Sequence, residues 1–232
     1  PSGARLRHGQ TRRPGRKWRM RFHVRLTGDF LDDSGALRYP DVGTSVLDDA
    51  GIDWSSYERH EPELRSDQIG PATGVVVLTP TVTAASLASP DDLLAIGRFG
   101  VGYDGVDVAA CTAHDVCVFI TPGAVDRPVA EATVTWILAL GHKLRQKDRL
   151  VREGRWDDRS GFMGQEVRDR TLGLVGCGRI GRAVIGLLSG FGMRQPLIYD
   201  PYLAESDATE LGAKKVDLQQ LLGEADYVSI HA

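Results

Sequence analysis

Short runs of apolar and β-branched residues alternate along this chain with stretches whose apolar positions recur at helical spacing. Met20 to Leu26, Ser56 to His60, Gly74 to Leu78, Leu93 to Arg98 and Cys117 to Thr121 read as five strands, with a helix around Val42 to Ala50. Strands separated by helices predict an α/β protein with a mainly parallel sheet. Five such strands with their helices make a domain of about 100 residues.

Pro122 and Gly123 punctuate the pattern. Beyond Pro128 a helical period runs through Val134, Ile137, Leu138 and Leu144 to about Val151, which predicts one long, unbroken helix able to cross between two domains. Gly154, Trp156 and the polar Asp157 to Ser160 read as a loop. A second α/β unit then begins: strand Leu172 to Val175, helix Ile180 to Ser189, strand Leu197 to Tyr199, helix Leu218 to Leu222 and strand Tyr227 to Ile230.

Composition narrows the class. With 232 residues, 42% hydrophobic and 25% charged, the chain can bury a core as one large or two small domains. Its three cysteines, Cys111, Cys117 and Cys177, form no C-x-x-C pair and have no matching histidine cluster. Neither a disulfide framework nor a metal site is therefore expected, and a reducing, cytoplasmic setting fits. No apolar run approaches the roughly 18 residues that span a bilayer, so no membrane partner is expected. The net charge of −3 is unevenly spread, because seven basic residues and no acid lie within the first twenty positions. Residues 1–19 are poor in apolar groups and read as a basic, disordered extension rather than a nucleic-acid-binding arm or a transit peptide.

One motif carries chemistry. Gly176-Cys177-Gly178-Arg179-Ile180-Gly181 is a G-x-G-x-x-G that follows a strand directly and opens a helix, and Asp200 ends the next strand 19 residues beyond Gly181. The alternative is an ordinary strand–helix turn, with Asp200 merely ending a strand before Pro201. The pattern is the dinucleotide fingerprint: Gly176 for the tight turn, Gly178 for approach of the pyrophosphate, Gly181 for close helix–sheet packing. The pyrophosphate would then lie at a helix N-terminus, where free N–H groups and the helix dipole favour an anion. Asp200 would accept from the adenosine ribose hydroxyls and repel a 2′-phosphate, which makes NAD the expected cofactor.

Thr171-Leu-Gly-Leu-Val-Gly-Cys-Gly-Arg-Ile-Gly181, Phe191-Gly-Met193 and Tyr199-Asp-Pro-Tyr202 together resemble the cofactor domain of D-isomer-specific 2-hydroxyacid dehydrogenases. Ile96-Gly-Arg-Phe-Gly-Val-Gly-Tyr-Asp-Gly-Val-Asp107, Thr121-Pro-Gly123, Val129-Ala-Glu131 and Gly154-Arg-Trp156 stand in that family's order. Val125-Asp-Arg-Pro128 departs from it, since the family has Asn and small residues there. The resemblance implies a flavodoxin-like substrate domain at 20–122 and a truncated Rossmann NAD-binding domain at 123–232. It implies a substrate carboxylate held by the backbone N–H groups of Val101 and Gly102, a dinucleotide lying across 176–181 with Tyr199, Asp200 and Pro201, and His231 near the adenosine. A plain turn with Asp107 as helix cap is the alternative reading of the Val101-Gly102 segment, and Glu131 reads as a first-turn carboxylate complementing its helix dipole. The acid pairs Asp32-Asp33, Asp48-Asp49, Asp91-Asp92 and Asp157-Asp158 read as caps and turns.

The family's catalytic Arg, Glu and His would all fall beyond Ala232, so the resemblance makes this chain an N-terminal fragment without catalytic residues or activity of its own. It also implies a small 2-hydroxy or 2-oxo acid as substrate and a homodimer at full length. An NAD-sensing, corepressor-like binding protein and a formate or phosphite dehydrogenase of the same fold are the rival readings.

Overall fold

A computed structural model of the chain describes residues 22–39, 42–89 and 92–232, and the basic extension lies outside them. These residues form two compact units. The first runs to Phe99 and resumes at Tyr103–Phe119; the second comprises Gly100–Gly102 and Ile120–Ala232.

In the first unit the elements run β1 (His23–Leu26), α1 (Thr44–Asp49), β2 (Asp53–Ser56), α2 (Ser66–Ile69), β3 (Gly74–Val77), β4 (Ala95–Arg98), α3 (Val108–Ala113) and β5 (Cys117–Phe119). The strands make one parallel sheet in the order β2-β1-β3-β4-β5, the flavodoxin-like order. Its core gathers Leu64, Ile69, Val75, Val77, Leu87, Ile96 and Cys111. Asp107 caps α3 by accepting from the Ala110 N–H at 2.8 Å.

The second strand does not lie at Ser56 to His60. It lies at Asp53–Ser56, paired parallel with β1 from His23↔Asp53 to Leu26↔Ser56. Tyr57 is buried just past the strand end with the Arg25 guanidinium 4.0 Å over its ring.

The second unit runs α4 (Asp126–Gly141), α5 (Leu144–Arg152), a 3₁₀ helix (Trp156–Phe162), β6 (Leu172–Val175), α6 (Arg179–Leu188), β7 (Leu197–Tyr199), α7 (Glu205–Glu210), β8 (Lys214–Lys215), α8 (Leu218–Glu224) and β9 (Tyr227–Ile230). All strands are parallel, in the order β8-β7-β6-β9. This is the first half of a doubly wound Rossmann sheet, β6 to β8, plus the strand β9 that opens the second, with β6 at the centre and nearly all of it buried. Leu172, Leu174, Val184, Leu188 and Ile198 form its core, and α4 packs against α6 with Ala130 fully buried.

The expected single helix through to Val151 is two helices. The Gly141 carbonyl leaves the helical ladder to accept from the Gln165 N–H at 2.8 Å, and Lys143 adopts a left-handed backbone with φ 51°. A helix cannot continue through such a residue. The Asp157 to Ser160 stretch is likewise not an open loop but part of the 3₁₀ helix, laced by Arg155–Asp158 and Arg159–Asp157 pairs. Glu131 sits in the second turn of α4, not the first, and pairs with Arg127 one turn back. Among the described residues, no helix is long and apolar enough to cross a membrane, and no group of His, Cys, Asp and Glu side chains could hold a metal ion.

Candidate dinucleotide-binding site

Strand β6 is followed by β7 and β8 on one side, while β9 lies on its other side. The connections therefore reverse direction between β6 and β9, and a crevice opens outside the carboxyl ends of these strands. The glycine loop leaves β6 at that point. The Gly176 N–H donates to the Tyr199 carbonyl at 2.9 Å, and the His231 N–H donates to the Val175 carbonyl at 2.8 Å. The ends of β6, β7 and β9 are thus laced together under the loop.

The three fingerprint glycines meet different surroundings. Gly176 has φ +86°, and a Cβ there would lie 2.8 Å from the His231 carbonyl group. Only glycine satisfies both the backbone angle and the approach. At Gly181 a Cβ would come within 2.9 Å of the Gly176 oxygen, so this glycine lets α6 fold back on its own loop. At Gly178 a Cβ would meet nothing within 4 Å. No neighbour among the described residues demands a glycine at 178, and the space it leaves faces outward at the start of α6.

Gly178 is the N-cap of α6 and no side chain caps it. The first-turn N–H groups of a ten-residue helix are therefore left for an outside acceptor. Arg179, first residue of the helix, extends an exposed guanidinium that pairs with Asp126. Ile180 packs inward on the core, and Cys177 is buried. Burial pushes the Cys177 thiol up, which keeps it protonated and unreactive.

Asp200 follows β7 directly. One of its oxygens accepts from the Cys177 N–H at 2.9 Å, the other from the Tyr202 N–H at 2.9 Å. The Cys177 bond, with help from the Tyr202 and Leu203 N–H groups and the Lys215 charge, holds this carboxyl below the usual carboxylate range against the opposing effect of burial. It is ionised and fixed beside the loop, with lone pairs left over for further donors. Tyr199 ends the strand, and Pro201 makes the turn after it. His231 is half-buried, its Nε2 3.0 Å from the Ser229 hydroxyl, and burial lowers its pKa. Gly176, Cys177, Gly178, Arg179, Ile180, Gly181, Tyr199, Asp200, Pro201 and His231 are thereby gathered around one crevice edge.

Val101 and Gly102 lie in a bend after β4, where Gly100 has φ +146° and its carbonyl accepts from the Thr121 N–H at 2.9 Å. The N–H groups of Val101 and Gly102 have no hydrogen-bond partner among the described residues.

Sequence reasoning missed the matching reversal in the first unit, between β1 and β3. There the Asp29 carboxylate accepts from the Thr79 N–H at 2.8 Å, beside a hollow of about 650 Å³ lined in part by Arg38, Tyr39, Glu58 and His60. The available signal was Gly28, two residues after the first strand, where a Cβ would strike the Arg59 backbone.

Residues 134–232 match the NAD binding domain of the D-isomer specific 2-hydroxyacid dehydrogenases. These residues form an NAD-binding domain of this family. A glyoxylate reductase from Korarchaeum cryptofilum is 35% identical over 193 residues, covering 76% of this chain and 58% of the relative. A D-3-phosphoglycerate dehydrogenase from Archaeoglobus fulgidus is 37% identical over 158 residues, covering 68% of this chain and 30% of the relative. Among solved structures, a D-lactate dehydrogenase from Aquifex aeolicus, complexed with NAD and lactic acid, superposes with a TM-score of 0.75 at 25% identity, over 90% of this chain and 60% of that one. The chain thus spans between about a third and two thirds of the length of the dehydrogenases it matches. Its 2-hydroxyacid dehydrogenase domain is an NAD-binding one, and the residues present fit that cofactor. The gap at Gly178, the uncapped start of α6 and the ionised Asp200 supply, in order, room, N–H donors and an acceptor.

Proposed function

We propose that this chain supplies the substrate-facing domain, at 20–122, and the adenosine side of the NAD-binding domain, at 123–232, of an oxidoreductase acting on the CH–OH group of a small D-2-hydroxy acid. In this reading the N–H groups at the start of α6, with Gly178 and Arg179, hold the pyrophosphate. Asp200, flanked by Tyr199 and Pro201, takes the adenosine ribose hydroxyls, and His231 lines the adenosine side. Val101 and Gly102 offer their N–H groups to the substrate carboxylate. When bound, NAD accepts or returns the hydride; every other task falls to the protein.

The observation that carries this reading is the open space at Gly178 beside a carboxylate already fixed at Asp200. Reduction of a 2-oxo acid also needs a cation to polarise the carbonyl and a proton donor. His231 suits neither task, because it is held by a serine hydroxyl and burial favours its neutral form. The chain by itself is therefore proposed to bind dinucleotide without turnover. The exposed Trp136, Leu140, Leu144 and Trp156 on and beside α4 and α5 support a homodimer built on a second copy of this face.

Calorimetric titration of the 232-residue chain with NAD and with NADP tests the reading. Binding of NAD with clear preference over NADP is expected. No binding, or equal binding of the two, overturns it.

A further inference from the structure

The departure from the family pattern at Val125-Asp-Arg-Pro128 places a carboxylate where it touches the candidate cofactor site. Asp126 opens α4, its side chain only 18% exposed, and its Oδ2 accepts from Arg179 Nε. Arg179 opens α6 and is 70% exposed. The same guanidinium is backed by Gly123, which has φ +89° and where a Cβ would lie 2.8 Å from Arg179 Nη2. A side chain at 123 would push the guanidinium off its place.

We propose that Asp126 is a positioning residue for the dinucleotide: it fixes the Arg179 guanidinium by its Nε–H and leaves the Nη donors free for the pyrophosphate. This rests on the reading that the dinucleotide lies at the glycine loop. A guanidinium carries five N–H donors in a planar fork, and the ion pair with Asp126 uses the one on Nε. Four remain. An arginine on an exposed helix start otherwise loses much side-chain freedom when it takes up a phosphate, and a guanidinium already held in place loses less. The carboxylate also has a cost, since a negative charge near a pyrophosphate opposes binding. Holding through a hydrogen bond and opposing through charge make different predictions for two substitutions. Asp126→Ala removes both effects, whereas Asp126→Asn keeps an acceptor for Nε and removes only the charge.

The test is calorimetric titration of the full chain with ADP-ribose in a double-mutant cycle with Arg179→Gln. Asp126→Ala is expected to weaken binding about three- to ten-fold, Asp126→Asn to bind as well as the parent or better, and Asp126→Ala to change nothing further once Arg179 is Gln. Asp126 also sits in the first turn of α4, where a carboxylate favours the helix dipole. A merely structural role there would weaken binding equally with either residue at 179, and that additive result would overturn the proposal. Unchanged or tighter binding by Asp126→Ala would overturn it as well, marking the carboxylate as a competitor of the phosphate. If the unsubstituted chain fails to bind ADP-ribose, the site itself is wrong and the role of Asp126 falls with it. Binding by the parent with an additive cycle removes only Asp126.

Discussion

Asp200 accepts a hydrogen bond of 2.9 Å from the Cys177 N–H, joining residues 23 positions apart across the ends of β6 and β7. The side chain expected to recognise a ribose thus also fastens the loop expected to receive the pyrophosphate. Its second oxygen is turned by the Tyr202 N–H, so the carboxylate plane is set from both sides before any ligand arrives.

Asp200→Ser is therefore expected to act twice. It removes the charge that discriminates against a 2′-phosphate and the acceptor that holds Cys177. A charge-assisted hydrogen bond contributes about 1.5–3 kcal/mol, so NAD affinity should fall roughly ten-fold or more, with NADP affected less. Parallel titrations give the ratio. An unchanged preference would mean that Asp200 does not face the ribose.

The three glycines separate folding from binding. Gly176→Ala combines a left-handed φ with a contact of 2.8 Å to His231, and strain of this kind costs of order 1–3 kcal/mol. Its melting temperature should drop. Gly178→Ala meets no atom of the described residues within 4 Å, so its melting temperature should match the parent while dinucleotide binding is lost or sharply weakened. Equal binding by Gly178→Ala and the parent would show that no ligand approaches the backbone there.

The strands and helices that were legible in the sequence are those whose signal is local. Gly74–Val77 and Leu172–Val175 are apolar throughout because helices or loops cover both sheet faces, and the fingerprint sits where a strand meets a helix. β2 was placed too late because Asp53-Trp-Ser-Ser56 is an edge strand with little apolar content, fixed by pairing with β1 rather than by its own pattern. The break at Lys143 was hidden for a similar reason. Gly141, two residues before it, is only a weak local mark, and the helix ends there because its carbonyl accepts from the Gln165 N–H, 24 residues on. The polar α7 and the two-residue β8 left no trace in the hydrophobic pattern. At the site, the fingerprint residues could be read, but the Asp200–Cys177 bond and the Asp126–Arg179 pair depend on tertiary proximity.

Acid should loosen the second unit from its sheet ends. The Thr171 N–H bond, aided by the Arg170 charge, holds Asp226 below the usual carboxylate range, as the Cys177 bond does Asp200. A carboxyl depressed in the folded state supplies its stability fully above its unfolded pKa and loses it as pH falls through the folded value. Stability at neutral pH should therefore be retained down to about pH 4 and decline below it. Urea unfolding midpoints measured across that range should decline less steeply for Asp226→Asn, although the variant starts lower at pH 7. An identical slope for parent and variant would assign the acid sensitivity to other groups.

Dinucleotide binding without turnover is the remaining expectation for the chain as it stands. A 2-oxo acid must receive a hydride at carbon and a proton at oxygen while its carboxylate is held, and general acid help alone is worth about 10²–10⁴-fold in rate. Among the described residues, His231 is the imidazole at the crevice edge. It would have to be protonated to donate, yet burial lowers its pKa and its Nε2 faces Ser229 rather than a carboxylate that would raise it. Arg179 is a cation close by, but its partner is Asp126 and its place is the start of α6 beside the glycine loop. The purified chain should accordingly oxidise no NADH with glyoxylate, hydroxypyruvate or pyruvate above a protein-free control, while NADH itself binds. Turnover that survives purification and vanishes in His231→Ala would make His231 the proton donor of a working site and reverse this reading. Turnover that persists in His231→Ala would instead place the donor elsewhere in the chain.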